Sequence, residues 1–389
     1  MHLVNSALGS SRWEQLEAAL RGLERTGVPL VAATGAGYGP AGFTDDPGIY
    51  YLVPRIAHAT GWGLATCLER VLFGAVALSL LVGLAGLFLL FRDTRSRLHG
   101  CFALGLVSAV SLIVGGVYIF QSAVVVAATP WIVWAVRKRG PVGARFAVLA
   151  AAGVLAAGAN FLRSHAGTPV LILAAGLVVL NEWDSRRWKA VALLCLAIAA
   201  LSVAGWTRHV TARRDAYLAR AQPGYAPVSA GHPFWHSVYI GFGFVVNDLG
   251  IRYADEVAAG KVRSVSPNAG YLSPEYESIL RHEVFRLVLR HPGFALQTLF
   301  AKFGVTFLFF LIFANAGALA AWFRRKPAAL AFPLWAALGF SALNGVLVVP
   351  SVDYLLGFCA FAAVYGAVSV GYAFEGYGAG DRLPPGRGR

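Results

Sequence analysis

The sequence predicts an all-α polytopic membrane protein with about nine transmembrane helices and a large extracytoplasmic segment between spans six and seven. Of its 389 residues, 57% are hydrophobic and only 13% are charged, whereas about 25% are charged in an average soluble domain. Apolar runs suited to spanning helices recur along the chain, and tilt can accommodate the shorter ones. They fall near 71–91, 101–119, 122–136, 146–162, 168–181, 189–206, 302–323, 328–348 and 353–373.

Basic residues mark one end of the predicted bundle. Clusters follow the first, third, fifth and seventh runs and end the chain; they include Arg92, Arg137, Arg186, Arg324 and Arg382. Because cytoplasmic loops carry an excess of Lys and Arg, these clusters place that end in the cytoplasm. Membrane orientation therefore explains the formal charge of +14, and nothing is typical of a nucleic-acid-binding motif.

This orientation divides the chain into four predicted segments. They are an extracytoplasmic N-terminal segment with an acidic loop (1–66), a six-span bundle (67–206), an extracytoplasmic loop with an amphipathic helix (207–301), and a three-span bundle with a basic cytoplasmic tail (302–389). Residues 1–28 show no signal peptide. An external N-terminus then suggests either one more span before residue 1, or that "VPLVAATGAGYG" (28–39) is the remnant of a span's outer end.

Two absences exclude classes of protein. The four cysteines form no CxxC pair, so we predict neither a disulfide framework nor a cysteine metal site. Between residues 71 and 373 no Asp or Glu lies inside a predicted span, and Asp353 is at the edge of one. Ion-coupled transporters usually keep such acids at mid-membrane, so the pattern disfavours a pump or symporter.

The first candidate site lies in "GFTDDPGIYYLVP" (42–54). One carboxylate of Asp45 and Asp46 could act as a general base toward an acceptor hydroxyl or amine. The alternative is an Asx-turn or N-cap for a helix over about Ile49 to Ala59. Tyr50 and Tyr51 follow the pair, and we predict that they line the substrate site.

The second candidate site is the turn "NFLRSHAGTPV" (160–170) between two short spans. A lone Arg163 at the extracytoplasmic edge opposes the charge bias of the loops. Its guanidinium fork suits a lipid phosphate, and His165 is a second candidate ligand. The alternative for Arg163 is a snorkelling side chain that anchors the helix end.

The third candidate is "GHPFWHSVYIGFGFVVNDLGIRYADE" (231–256), which combines aromatic, amide and carboxylate side chains suited to sugar rings. The alternative is an interfacial aromatic belt. The two histidines also have the spacing of a metal pair, but a proline separates them and no third ligand is evident. We assign no metal site; a divalent cation stays a candidate cofactor. The predicted substrate-lining residues are His232, His236, Asn247, Asp248, Arg252 and Asp255.

An amphipathic helix is predicted in "SPEYESILRHEVFRLVLRHPGF" (273–294). Ser273 is its N-cap, Pro274 occupies the first helical position, and Glu275 and Glu277 lie in the first turn. We expect it to lie on the membrane or on the bundle.

The arrangement resembles the GT-C superfamily of membrane glycosyltransferases, in the branch of the protein O-mannosyltransferases and aminoarabinose transferases. The matching residues are Asp45 and Asp46 with Tyr50 or Tyr51, in a pattern close to D-[DE]-x-x-x-Y. A second likeness is "RHPGFALQTLFAKF" (290–303), where an outer helix runs through a proline into a span and brings Lys302 to the membrane edge.

The resemblance implies a glycosyltransferase of the cell envelope that takes a sugar from a polyprenyl-phosphate donor. The acceptor would be an envelope lipid, glycan or protein on the extracytoplasmic face of the cytoplasmic (inner) membrane. Asp45 or Asp46 would be the base, and Arg163, with His165 and Lys302, would hold the donor phosphate. The alternatives are an O-antigen ligase or polymerase-like enzyme, and a non-enzymatic membrane assembly or translocation protein.

Overall fold

The computed structural model describes residues 10–35, 37–42, 46–137, 140–181, 185–225, 227, 233–323 and 326–375. Helices form almost all of its regular structure, with one short hairpin. The helices are α1 Ser10–Thr26, α2 Pro47–Thr60, α3 Leu64–Leu90, α4 Thr94–Val114, α5 Ile119–Val136, α6 Val142–Leu162, α7 Thr168–Leu180, α8 Arg186–Ala221, α9 Phe234–Gly241, α10 Asp255–Val265, α11 Pro274–Arg290, α12 Pro292–Ala314, α13 Ala316–Phe323, α14 Ala328–Leu343 and α15 Leu356–Glu375.

Within the described residues, eight helices are long and apolar enough to cross a membrane. They are α3, α4, α5, α6, α8, α12, α14 with the π-helical turn Asn344–Val348 that continues it, and α15. Helix α7 is a ninth, shorter apolar helix. This confirms the predicted multi-span helical architecture. Of the nine predicted spans, the one at 168–181 forms a helix shorter than the other eight candidates.

The spans alternate direction, so the links between them lie at two ends. We call the end that carries Tyr118, Arg163 and Tyr354 the polar end. The opposite end, which carries Arg92 and Arg186, is the basic end. The sequence analysis placed the basic clusters at one end of the bundle and the candidate site residues at the other.

Two helices differ from their predicted bounds. The run at 302–323 is broken at Asn315, whose φ of 39° ends α12 before α13 begins. Helix α8 has 36 residues, about 54 Å of helix against a hydrocarbon core of about 30 Å. It therefore projects beyond the bundle at the polar end.

The N-terminal part packs as a small unit against this projection. Strands β1 (Val31–Thr34) and β2 (Gly37–Pro40) pair antiparallel. The two strands thus form a hairpin, and the interpretation of 28–39 as the remnant of a span's outer end is wrong. The Gln222 side chain of α8 donates a hydrogen bond to the Tyr38 carbonyl, which joins the projecting helix to the hairpin.

Helices α5 and α15 form the centre of the bundle. In their most apolar windows 89% and 94% of residues are buried, as expected for helices that are apolar on every side. Helix α13 crosses α15 very closely: a Cβ built on Gly317 would lie 2.1 Å from the Gly366 Cα. Only glycine permits this approach.

Gly317→Val is expected to destabilise the protein by about 1–3 kcal/mol, because the added methyl groups must force α13 away from α15. Thermal unfolding in detergent measures the effect. Gly339→Val is the matched control, since a Cβ there meets nothing within 4 Å. An equal change in melting temperature for the two variants would contradict the close crossing.

The segment between α8 and α12 forms a separate apolar cluster at the polar end. Its core includes Tyr239, Ile251, Val262, Tyr276 and Leu280. As predicted, Ser273 caps α11, its hydroxyl accepting a hydrogen bond from the Tyr276 amide. Helix α11 buries one face on this cluster while Phe285 and Leu289 on the other face are exposed.

Candidate functional site

Asp46 is buried at the start of α2, with 2% of its surface exposed. It occupies the N-cap position, but its side chain makes no cap hydrogen bond. Its Oδ2 instead lies 3.0 Å from the Arg12 Nε of α1. The carboxylate is thus held toward the interior by an ion pair, and the N-cap alternative does not account for it.

Tyr50 lies one turn further along α2 and is also buried, with 3% of its surface exposed. Burial raises the pKa of its phenol well above the usual value, and the Asp46 carboxylate raises it further. The Arg12 and Arg163 guanidinium groups act in the opposite direction. Asp46, Arg12 and Arg163 thus all act electrostatically on Tyr50. Because its pKa is raised, the phenol stays neutral and keeps its proton.

Arg163 ends α6 at the polar end and is 5% exposed. The turn that follows is built around Asn160, whose Oδ1 accepts hydrogen bonds from the Gly167 and Thr168 amides at 2.8 and 3.2 Å. A Cβ on Gly167 would lie 1.9 Å from the Ala156 carbonyl oxygen. The local sequence therefore fixes the turn, and with it the position of Arg163.

The Arg163 guanidinium contacts Tyr118, and two further tyrosines extend this contact. Its Nη2 donates to the Tyr118 hydroxyl at 3.3 Å, and its Cζ lies 4.5 Å from the centre of the same ring. The Tyr118 ring packs 5.0 Å from that of Tyr354, whose hydroxyl is 3.1 Å from the Tyr253 hydroxyl. The links α4–α5, α6–α7 and α14–α15 thus meet the segment before α10.

We call Arg12, Asp46, Tyr50, Tyr118 and Arg163 the polar centre. These described residues supply two guanidinium groups, one carboxylate and two phenols, so their formal charge is positive. A buried guanidinium attracts an anion strongly and can bind two phosphate oxygens. A carboxylate beside it can accept a proton. The arrangement is suited to chemistry on a phosphate-bearing ligand.

A cavity of about 230 Å³ lies between α5, α7 and α14 beside the polar centre. Its lining includes Gln121 one turn after Tyr118, Gly357 one turn after Tyr354, and His165 two residues after Arg163. The His165 backbone is left-handed, with a φ of 62°, and its exposed ring lies 6.5 Å from the Phe340 ring. His165 therefore lies at a mostly apolar cavity next to the centre.

Lys302 is buried in α12, with 2% of its surface exposed. Its Nζ donates a hydrogen bond to the Leu347 carbonyl at 3.2 Å and lies 5.9 Å from the Phe242 ring centre. Leu347 belongs to the π-helical turn and lines the same cavity. The Lys302 ammonium group thus hydrogen-bonds to the backbone of a residue that lines the cavity. Its contact with a donor phosphate stays a prediction.

His236 is engaged through both ring nitrogens. Its Nδ1 lies 2.8 Å from the Tyr276 hydroxyl, and its Nε2 lies 3.1 Å from Asp255 Oδ1. The hydrogen bond with His236 holds the pKa of the Asp255 carboxyl below its usual value. Glu277 accepts hydrogen bonds from the Trp235 and His236 amides. These contacts tie α9, α10 and α11 together, which gives His236 a structural role in this loop.

Asn247 closes its own turn. Its Nδ2 donates to the Val245 and Ile251 carbonyls, and its Oδ1 accepts from the Leu249 and Ile251 amides. Asp248 and Arg252 are exposed on either side of this turn. A substrate-lining role for these three residues and Asp255 stays a prediction, and Asn247 can take it only by exchanging local hydrogen bonds.

Sequence reasoning missed two residues of the polar centre, Arg12 and Tyr118, and the neighbouring Tyr354. Arg12, Tyr118 and Tyr354 carry no motif, although each tyrosine lies in a link at the polar end. Asp45 and His232 lie outside the described residues. Of the two tyrosines after the acidic pair, Tyr50 points to the polar centre, and Tyr51 contacts the Phe161 and Trp206 rings instead.

No protein-family model and no curated protein matches the sequence. Among solved structures, the chain is similar to the crystal structure of ArnT from Cupriavidus metallidurans bound to undecaprenyl phosphate. The two share 16% sequence identity, and the alignment covers 94% of this chain and 74% of that chain with a TM-score of 0.39. A likeness at this level carries no argument about what this chain does.

Proposed function

We propose that the chain is a membrane glycosyltransferase that moves a sugar from a polyprenyl-phosphate donor to an envelope lipid, glycan or protein. The observation that carries the proposal is the polar centre. A buried carboxylate and a buried arginine lie at one end of a multi-span bundle, within reach of a second arginine. The acidic-loop pattern noted in the sequence supports the same reading.

The donor phosphate is proposed to bind at Arg163. The buried Arg163 guanidinium is held in place by the fixed turn that follows α6, and its planar fork can bind two phosphate oxygens. The adjoining cavity is lined mainly by apolar groups, so the start of a polyprenyl chain can enter it while the phosphate stays at Arg163. His165 at the cavity edge is a second candidate contact.

The transfer step needs a base and a stabilised leaving group. The acceptor oxygen or nitrogen attacks the anomeric carbon and gives its proton to Asp46, or to Asp45 beside it. The bond between that carbon and the phosphate oxygen breaks, and the polyprenyl phosphate leaves with its electron pair. Arg163 stabilises the negative charge that develops there. Attack from the side opposite the phosphate inverts the anomeric configuration.

The basic clusters support placing the polar centre on the extracytoplasmic face of the cytoplasmic membrane.

Deletion of the gene in its host tests the proposal. Mass spectrometry of envelope glycolipids and glycans is expected to show the loss of one sugar unit, which the wild-type gene restores. His236→Ala is expected to restore it at least in part when the protein is present at wild-type level, because His236 serves loop structure. An O-antigen ligase-like enzyme predicts a different pattern, in which both aspartates are dispensable and Arg163, His232 or His236 is essential. An unchanged envelope in the deletion strain would favour a non-enzymatic role.

A further inference from the structure

A large apolar groove lies on the other side of α5 from the cavity. It measures about 720 Å³ and runs between α3, α5, α6 and α8. Leu78, Val82, Val124 and Leu155 are among its lining residues. All four helices are candidate membrane spans, so the groove lies at the depth of lipid chains.

Aromatic rings close the groove at the polar end. The rings of Tyr51, Phe161 and Trp206 meet edge to face, with centre separations of 5.8, 5.2 and 5.5 Å. Aromatic side chains of this kind mark the level of lipid headgroups. The Tyr51 hydroxyl accepts a hydrogen bond from Arg55 Nη1 at 3.0 Å, so a cation lies directly beyond the rings.

A cationic pocket follows along the same two helix faces. Its volume is about 320 Å³, and Arg55, His58 and Arg213 contribute its polar side chains. Arg55 and His58 lie four and seven residues after Tyr51 on α2, and Arg213 lies seven after Trp206 on α8. Such spacings share one helix face. The pocket thus lies about 10 Å along α8 beyond the aromatic rings.

The charges of this region suit an anionic headgroup. Arg70 also lines the groove and stacks on Trp62, with 3.7 Å from its Cζ to the ring centre. Arg55, Arg70 and Arg213 lie at the polar end of the bundle, where the charge bias of the loops disfavours basic residues. An arginine guanidinium can bind two oxygens of one phosphate.

We propose that the groove and the cationic pocket together bind a membrane lipid with an anionic phosphate headgroup. The chains lie in the groove, the headgroup passes the aromatic rings, and the phosphate meets Arg55 and Arg213. None of these residues belongs to the polar centre. Gly48 and Leu162 line the groove beside Asp46 and Arg163, which places the bound lipid where an acceptor would lie. This acceptor role rests on the proposed function, whereas the binding of the lipid does not.

Binding is measured by native mass spectrometry of the delipidated full chain, with dioleoyl phosphatidic acid and dioleoyl phosphatidylcholine as probes and no sugar donor. The wild type is expected to prefer phosphatidic acid. Gly158→Leu is expected to weaken binding of both lipids by about tenfold, because its side chain fills the groove. A Cβ at Gly158 meets nothing within 4 Å, so the fold tolerates it. Gly105→Leu, at another open position in a span, is the control.

The double variant Arg55→Gln/Arg213→Gln tests the headgroup pocket. It is expected to bind phosphatidic acid about tenfold more weakly and phosphatidylcholine nearly unchanged. Equal binding of the two lipids by the wild type would overturn the proposal. So would wild-type affinity for phosphatidic acid in either Gly158→Leu or the double arginine variant. Because no donor is present, these outcomes do not depend on whether the chain is a transferase.

Discussion

Asp46→Asn is expected to lower the transfer rate by about 10²–10⁴-fold, the usual contribution of a positioned general base. Asparagine has nearly the same shape as aspartate, and its amide oxygen can still face Arg12. The fold should therefore survive while the proton acceptor is lost. The effect is expected in kcat, because Asp46 receives a proton only as the acceptor attacks.

The measurement is the initial rate of the purified protein with its lipid-linked donor. Glu24→Gln is the control, because Glu24 is an exposed acid on α1 in the same N-terminal unit. Asp45→Asn, measured alongside, decides which member of the pair is the base. Wild-type rates in both single asparagine variants would remove the acid–base role from this loop.

Arg163→Ala is expected to lower kcat by about 10²–10³-fold, as when one preorganised donor is removed from a developing negative charge. The same substitution should also raise the KM for the donor, because the guanidinium binds the phosphate before the reaction. Arg163→Lys keeps the charge but not the planar fork that packs over Tyr118, so we expect only partial recovery.

Arg290→Ala, which removes an exposed arginine from the last turn of α11, is the matched control. A snorkelling role for Arg163 predicts a different pattern. Under that role Arg163→Lys would behave like the wild type, since either long cation can anchor a helix end. Rates that separate lysine from arginine at this position therefore support phosphate binding.

Most of the membrane architecture could be predicted because apolar runs and basic clusters are local signals. The break at Asn315 could not, since it depends on a left-handed residue inside an apolar run. The projection of α8 was missed because residues 207–221 are polar, and a polar stretch after a span is typical of a loop. In the structure the end of this helix packs on the hairpin, through Gln222 and Tyr38.

The candidate site was predictable only in part, for a similar reason. Asp46 and Arg163 were found because acids and lone arginines are unusual next to spans. Their partners were not, because the contacts that define the centre join distant parts of the chain. Arg12 reaches Asp46 from a separate helix, and Tyr118 is 45 residues from Arg163. Tyrosine in a link between spans is too common to mark a site by itself.

Electron cryo-microscopy of the protein with an antibody fragment and a bound polyprenyl phosphate tests the central claim most directly. The account predicts the phosphate within hydrogen-bonding distance of the Arg163 guanidinium, beside Asp46 and Tyr50, with the chain entering an apolar cavity of the bundle. A phosphate bound at the basic end, or at the polar end without contact to Arg163, would contradict it.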